Sequence, residues 1–221
     1  MKAILGGTFD PVHLGHLHAA RRARLALGIP HVTLLLAARP VHRAAPLAGI
    51  RDRWRMLRLA TRQEAGLLAS DLEVGRPGPS YTVDSLGDLH GGEPLVWLIG
   101  RDALADVPSW HRADRLASLC HFVVLDRPGV GACEPFVPRG FERVHDLARL
   151  DERPSGGLYC LPNAMLSISA SQVRRMIAQG GDASALLPCD VWTYIWEQGL
   201  YKPGESKVGG SSLEERCRRD Q

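Results

Sequence analysis

Gly6-Gly7-Thr8-Phe9-Asp10-Pro11-Val12-His13-Leu14-Gly15-His16 compresses a strand end, a turn and a helix start into one stretch. Lys2 to Leu5, just before it, is a short apolar run that ends in two glycines, which predicts a first strand breaking into a turn. Asp10 followed by Pro11 predicts an N-cap and a first helical residue, since a carboxylate can accept an orphan N–H and proline is tolerated there. On that register His13 and His16 stand three apart at the opening of a helix and project from one face. Gly15 between them has no side chain, which leaves room for an anion to approach the backbone. The unpaired N–H groups and the positive end of the helix dipole favour phosphate at this point. An HxGH pattern alone is equally compatible with two histidines packed or solvated by chance. The strand before it and the helix after it argue for a site.

The chain has 221 residues, enough for one α/β domain with a substantial core. Its apolar content of 45% and charged content of 23% are ordinary for a globular protein. No run approaches the length of a membrane span, and no signal peptide is expected before the first strand. The five cysteines (Cys120, Cys133, Cys160, Cys189, Cys217) are scattered, form no C-x-x-C pair, and suggest neither a zinc site nor a disulfide framework. A reducing cytoplasm is the expected compartment. Net charge is +3, unevenly spread: residues 1–60 hold ten Lys/Arg against Asp10 and Asp52, which is +8 there and −5 over the rest. A positive field over the first loop would draw in anionic nucleotides. Arg21, Arg22 and Arg24 read as solvated helix positions instead. There is no stacking-aromatic or basic-helix motif of the kind that binds nucleic acid.

Strands and helices alternate along the chain. Strands are expected at His31 to Ala38, Leu67 to Leu72, Leu95 to Ile99 (ending at Gly100), His121 to Leu125 and Leu158 to Leu161. Helices are expected over Ile50 to Glu64, from a Ser80 cap through Val83, Leu86 and Leu89, from Ser169 or Ser171 through Ile177, and from Cys189 to Gln198 with a stop at Gly199. The stretch 129–157 reads as loop. Trp54, Trp97, Trp192 and Trp196 read as core, and Trp110 as a loop residue beyond a strand end. Short buried strands between helices predict an α/β fold, a Rossmann-like doubly wound parallel sheet, whose ligands sit where the chain switches direction at the carboxyl ends of strands. Residues 1–201 are expected to form one domain, with the helical segment 169–201 packed on it. Residues 202–221 have little to bury and are expected to be a disordered tail.

The stretch from Gly7 to Pro11 followed by His13-Leu14-Gly15-His16 resembles the T/H-x-G-H signature of the nucleotidyltransferase superfamily. Four further segments, in the same order, resemble bacterial nicotinate mononucleotide adenylyltransferases. Ala38-Arg39-Pro40-Val41-His42-Arg43 resembles their P-P-H-K segment, with Val41 for a proline and Arg43 for the lysine. Arginine keeps the charge and adds a planar donor fork. Pro79-Ser80-Tyr81-Thr82 resembles their S-Y-T motif, Gly100-Arg101-Asp102 to Pro108-Ser109-Trp110-His111 their I-G-x-D … P-x-W segment, and Ile168-Ser169-Ala170-Ser171-Gln172-Val173-Arg174 their I-S-[SA]-T-x-[IV]-R pattern, with Ser171 for threonine. The closing Leu186-Leu187-Pro188 and Tyr194 to Tyr201 match as well, so the resemblance spans residues 2–201.

The resemblance implies a transfer of the adenylyl group of ATP to nicotinate mononucleotide, giving nicotinate adenine dinucleotide and pyrophosphate. It assigns catalysis to His13, His16 and Arg43. ATP falls to Gly6, Gly7, Thr8, Phe9, His13, Gly15, His16, Gly100, Asp102, Ser171 and Arg174. Nicotinate mononucleotide falls to Thr8, His42, Arg43, Thr82, Trp110 and His111. Mg²⁺ is expected to come with ATP, with no metal held by the protein itself. The partners expected are these two small molecules, with no nucleic acid and no membrane, for a monomer or homodimer. Two other readings stay open: a related adenylyltransferase for nicotinamide mononucleotide or phosphopantetheine, and a non-catalytic nucleotide sensor with the same fold. The short chain and the lack of a KMSKS sequence argue against an aminoacyl-tRNA synthetase.

Overall fold

A computed structural model describes residues 1–41, 45–126 and 136–202. His42 and Arg43, two of the expected site residues, lie outside the described residues, as do 203–221 of the expected tail. The strands are β1 (Lys2–Gly7), β2 (Val32–Leu36), β3 (Leu67–Ser70), β4 (Leu95–Gly100), β5 (His121–Leu125), β6 (Glu142–Arg143) and β7 (Gly157–Leu161). The helices are α1 (Leu14–Ala26), α2 (Ile50–Thr61), α3 (Thr82–Leu89), α4 (Arg101–Asp106), α5 (Leu116–Leu119), α6 (Ala170–Ala178) and α7 (Cys189–Gln198). The strands form one parallel sheet in the order β3-β2-β1-β4-β5-β7-β6. The chain winds outward from β1 to β3, then crosses back to β4 on the other side of β1. The reversal between β1 and β4 is the switch point at which a doubly wound sheet opens a crevice.

Side chains alternate across the sheet with a period of two, so each buried strand serves two cores. Ala3, Leu5, Val96 and Leu98 face α1, α2, α6 and α7, where Leu17, Met56, Val173, Ile177, Val191 and Ile195 fill the layer. Ile4, Leu95, Trp97 and Ile99 face the other way, onto Val83, Leu86, Leu104 and Leu116. Gly6 is explained by this packing: a Cβ there would lie 2.4 Å from the Trp97 indole.

Several local expectations are corrected. α1 starts at Leu14, with His13 as N-cap, not at Pro11. The Asp10 carboxylate caps no helix; it accepts from the backbone N–H of Leu47 (2.9 Å) and Ala48 (3.0 Å), because tertiary partners outcompete the local one. α3 is capped by Tyr81, and the Ser80 hydroxyl is drawn off to accept from the Arg39 N–H at 2.9 Å. The loop expected at 129–157 contains the short strand β6, which pairs with β7. Trp196 is 38% exposed, and Lys202 Nζ stands 3.7 Å from its ring centroid in a cation–π contact. Arg24 is not fully solvated: its side chain packs under Gly66, where a Cβ would meet it at 2.6 Å. α6 is capped by Ser169, whose hydroxyl accepts from the Gln172 N–H, and α7 stops at Gly199 in the left-handed region (φ 63°), both as expected.

Candidate active site

The first loop leaves β1 at Gly7, at the C-terminal edge of the sheet and beside the switch point. Phe9 takes φ 47°, a left-handed backbone that a bulky residue adopts only under constraint, and its ring is buried against Gly7. His13, as N-cap, keeps an extended backbone, and its N–H donates to His16 Nδ1 at 3.2 Å. That bond makes Nδ1 the acceptor, so in the neutral ring the proton sits on Nε2, on the other side of the imidazole. The two rings stack, centroids 3.7 Å apart and 28° from parallel, and Phe9 meets His16 edge-on at 5.0 Å. Both sequence-predicted histidines are thus brought together on one helix start. The role expected for Gly15 changes. A Cβ at that position would sit 2.9 Å from His13 Nδ1, so the missing side chain makes room for the histidine ring and not directly for a ligand.

Burial pushes the His13 imidazole down to about 4, so it is neutral near pH 7. A depressed histidine stabilises the fold fully above its unfolded value near 6.5, and that contribution is lost as pH falls toward 4. Wild-type unfolding free energy is therefore expected to drop by about 2 kcal/mol from this group between pH 7.5 and 5. Denaturant titrations of wild type and His13→Gln at both pH values measure the difference. An equal drop in the variant would refute the assignment.

Three distant elements converge on this loop. Arg174, in the first turns of α6, donates to the Asp10 carbonyl at 2.7 Å, and its guanidinium lies 3.7 Å from the Asp10 carboxylate. Tyr201, beyond α7, donates to the same carboxylate at 2.8 Å, and burial with the neighbouring Asp10 charge pushes the phenol upward. Ile168 Cβ lies 3.4 Å from the position a Gly15 Cβ would take, so the segment before α6 touches the start of α1. Ser171 is exposed at the α6 N-terminus, its hydroxyl 3.1 Å from that of Ser169. The Ser171–Arg174 segment and the two histidines therefore share one corner.

Arg53 was not singled out by sequence reasoning as a site-forming residue. It is 1% exposed and donates to the carbonyls of Thr8 (2.9 Å), Ala37 (2.8 Å), Ala38 (2.8 Å) and Ala48 (3.2 Å). It thereby ties the loop after β1, the end of β2 and the lead into α2 into one body. Burial lowers the guanidinium, and the Asp10 charge works against that shift. A signal was present: Arg53 falls on the helical stripe with Met56, Leu57 and Ala60, which are all buried.

The remaining predicted residues lie across the switch point. Gly100 ends β4, adjacent to β1, and caps α4; Asp102 is exposed in that helix's first turn. A Cβ on Gly100 would make only ordinary contact with Met165 Sδ at 3.8 Å. Thr82 opens α3 directly after Tyr81, whose ring stacks on His111 with centroids 4.2 Å apart. That stack joins the Ser80–Thr82 segment to Trp110, which is half-buried at the end of a short 3₁₀ turn. The stretch Ala38–Val41 reaches the same place through a parallel bridge between Pro40 and Ser80. An open cavity of about 590 Å³ lies between 38–41, 45–50 and Gly78-Pro79. Among the described residues, no three His, Cys, Asp or Glu side chains gather as a metal cage, and no helix is long and apolar enough to cross a membrane.

Comparison with known proteins gives the family and the fold. Residues 4–176 match the family model described as cytidylyltransferase-like. The chain is 42% identical over 216 residues to a probable nicotinate-nucleotide adenylyltransferase of Stenotrophomonas maltophilia, covering 91% of this chain and 97% of that one. It is 41% identical over 208 residues to one of Methylococcus capsulatus, covering 91% and 99%. Among solved structures, the fold is similar to Plasmodium falciparum nicotinic acid mononucleotide adenylyltransferase complexed with NaAD, with a TM-score of 0.68 at 17% identity over 91% of this chain and 98% of that one.

Proposed function

The chain belongs to the nicotinate-nucleotide adenylyltransferase family, within the cytidylyltransferase-like group, and from that membership we propose how it joins ATP to nicotinate mononucleotide. The reaction forms a bond between a phosphate oxygen of the mononucleotide and the α-phosphorus of ATP, and breaks the bond from that phosphorus to the bridging oxygen. Pyrophosphate leaves, and nicotinate adenine dinucleotide is the product. The nucleophile is already an anion, so no general base is needed. Catalysis reduces to aligning two anions and stabilising the charge that grows on the transferred and leaving groups.

The single observation that supports this reading best is the stacked His13–His16 pair, in which His16 Nδ1 accepts from the His13 N–H and so leaves the neutral ring's proton to Nε2. His16 would donate that hydrogen to the α-phosphate. His13, neutral and buried, would back it and meet the phosphates beside it. Ser171 and Arg174, at the same corner, would grip the distal phosphates, and Arg43 would supply charge from the loop after β2. Gly7, Thr8 and Phe9 would line the triphosphate path, and Gly100 with Asp102 the nucleoside side. The Thr82 amide would hold the pyridine carboxylate, with Trp110 stacking on the ring and His42 and His111 closing the acceptor end. Mg²⁺ would be held by phosphate oxygens and water. Asp10, whose carboxylate already accepts from two amides and a phenol, is not free to receive it. The cytoplasm is the compartment this chemistry implies, for a monomer or homodimer.

Purified protein with ATP and magnesium, offered each acceptor in turn, tests the assignment through pyrophosphate release. Release is expected with nicotinate mononucleotide and to be weaker with the amide. Release only with phosphopantetheine would overturn the acceptor, and no release with any acceptor would overturn the enzyme.

A further inference from the structure

We propose that Glu73, Arg76 and Ser85, with Arg39, are positioning residues for the acceptor half of the site. They set how tightly the pyridine mononucleotide is held while leaving ATP binding alone. The inference rests on the acceptor assignment made above.

Glu73 lies in the loop between β3 and α3 and is 5% exposed. One carboxylate oxygen accepts from the Ser85 hydroxyl at 2.5 Å, and the other is buried with no hydrogen-bond partner among the described residues. A half-satisfied buried carboxylate costs stability, and an apolar residue in its place is often neutral or better for folding. Its presence therefore calls for a reason other than folding. Ser85 is fully buried on α3, one turn after Thr82. Its hydroxyl donates to Glu73 and accepts from Arg76 Nη1 at 3.2 Å, using both of its capacities. The same guanidinium also pairs with Asp88, one turn further along α3. The loop is thus locked onto α3 from its first turn to its last.

Arg39 links that lock to the loop after β2. Its side chain donates to the Arg76 carbonyl at 2.8 Å, and its backbone accepts from the Ser80 N–H and donates to the Ser80 hydroxyl, both at 2.9 Å. Ser80, Tyr81 and Thr82 are therefore held from both sides: by Arg39 before them and by Ser85 after them. Moving Arg76 would shift the Thr82 amide and the Tyr81–His111 stack together. The phosphate corner is braced by a different set, Asp10, Arg53, Arg174 and Tyr201, which shares no hydrogen bond with this one among those described.

Steady-state kinetics of Ser85→Ala, Arg76→Ala, Arg76→Lys and Arg39→Ala, each with its unfolding midpoint, test the proposal. Ser85→Ala and Arg76→Ala are expected to raise KM for nicotinate mononucleotide by about tenfold, with KM for ATP changed by no more than about twofold and kcat at saturation nearly kept. Arg76→Lys, which can reach one partner but not both, is expected to fall between. Should Arg76→Ala fail to fold, Ser85→Ala (the loss of one oxygen) and Arg39→Ala at an exposed site carry the same test. Parallel rises in both KM values, or an unchanged acceptor KM, would overturn the proposal. Wild type that ignores nicotinate mononucleotide would overturn this inference and the acceptor assignment together. Active wild type with indifferent variants would defeat this inference alone.

Discussion

His16→Ala is expected to lower kcat by about 10²–10³-fold, the usual cost of removing one pre-aimed donor to a transition-state oxyanion, with KM values for both substrates changed far less. The asymmetry follows from geometry. The ring is already held by the His13 N–H, by stacking on the His13 imidazole and by the edge of Phe9, so its Nε2–H needs no reorganisation as charge develops. On the proposed reading, ground-state triphosphate would have other cations to hold it, Arg174 at the same corner among them. The substitution gives up the bond from the His13 N–H to His16 Nδ1 but keeps the N-cap residue and Gly15. Single-turnover measurement at saturating ATP and acceptor isolates the chemical step. Wild-type-like turnover in this variant would reject the mechanism.

Arg53→Met is expected to cost about 3–5 kcal/mol of unfolding free energy, a large share of the 5–15 kcal/mol typical of a folded domain. Methionine fills similar volume, so the loss is not a cavity effect. It comes from leaving the carbonyls of Thr8, Ala37, Ala38 and Ala48 buried without their donor. Asp10 would also lose the positive charge that faces it. Arg55→Met, two positions along on the exposed face of α2, is the control and is expected to change stability by less than about 0.5 kcal/mol. Chemical denaturation of both variants at pH 7.5 gives the comparison. A loss under about 1 kcal/mol for Arg53→Met would show that the loop relaxes and finds other partners.

Much of the site was legible because its motifs sit at element boundaries. A glycine pair ends β1 and Ser169 caps α6, both on interactions spanning a few residues. The errors share a cause. Asp10 and Ser80 have the right chemistry for local caps, yet their oxygens went to Ala48, Leu47 and Arg39, which are distant in sequence. Gly15 read as space for a ligand, whereas the His13 ring occupies it. Arg53 entered only as one of ten basic residues in 1–60, because composition counts an arginine without saying which helix face is turned inward.

The chain alone determined the alternation of strands and helices, the parallel sheet and the pair of histidines at a helix start, because hydrophobic period and backbone-breaking residues act over one or two turns. Only the folded molecule decided that Arg174 would meet Asp10 across 164 positions, that Arg53 would be buried among four carbonyls, and that His13 would be neutral. Those outcomes depend on which surfaces the closed loops press together and how much water they expel, and neither quantity is written in any short run of residues.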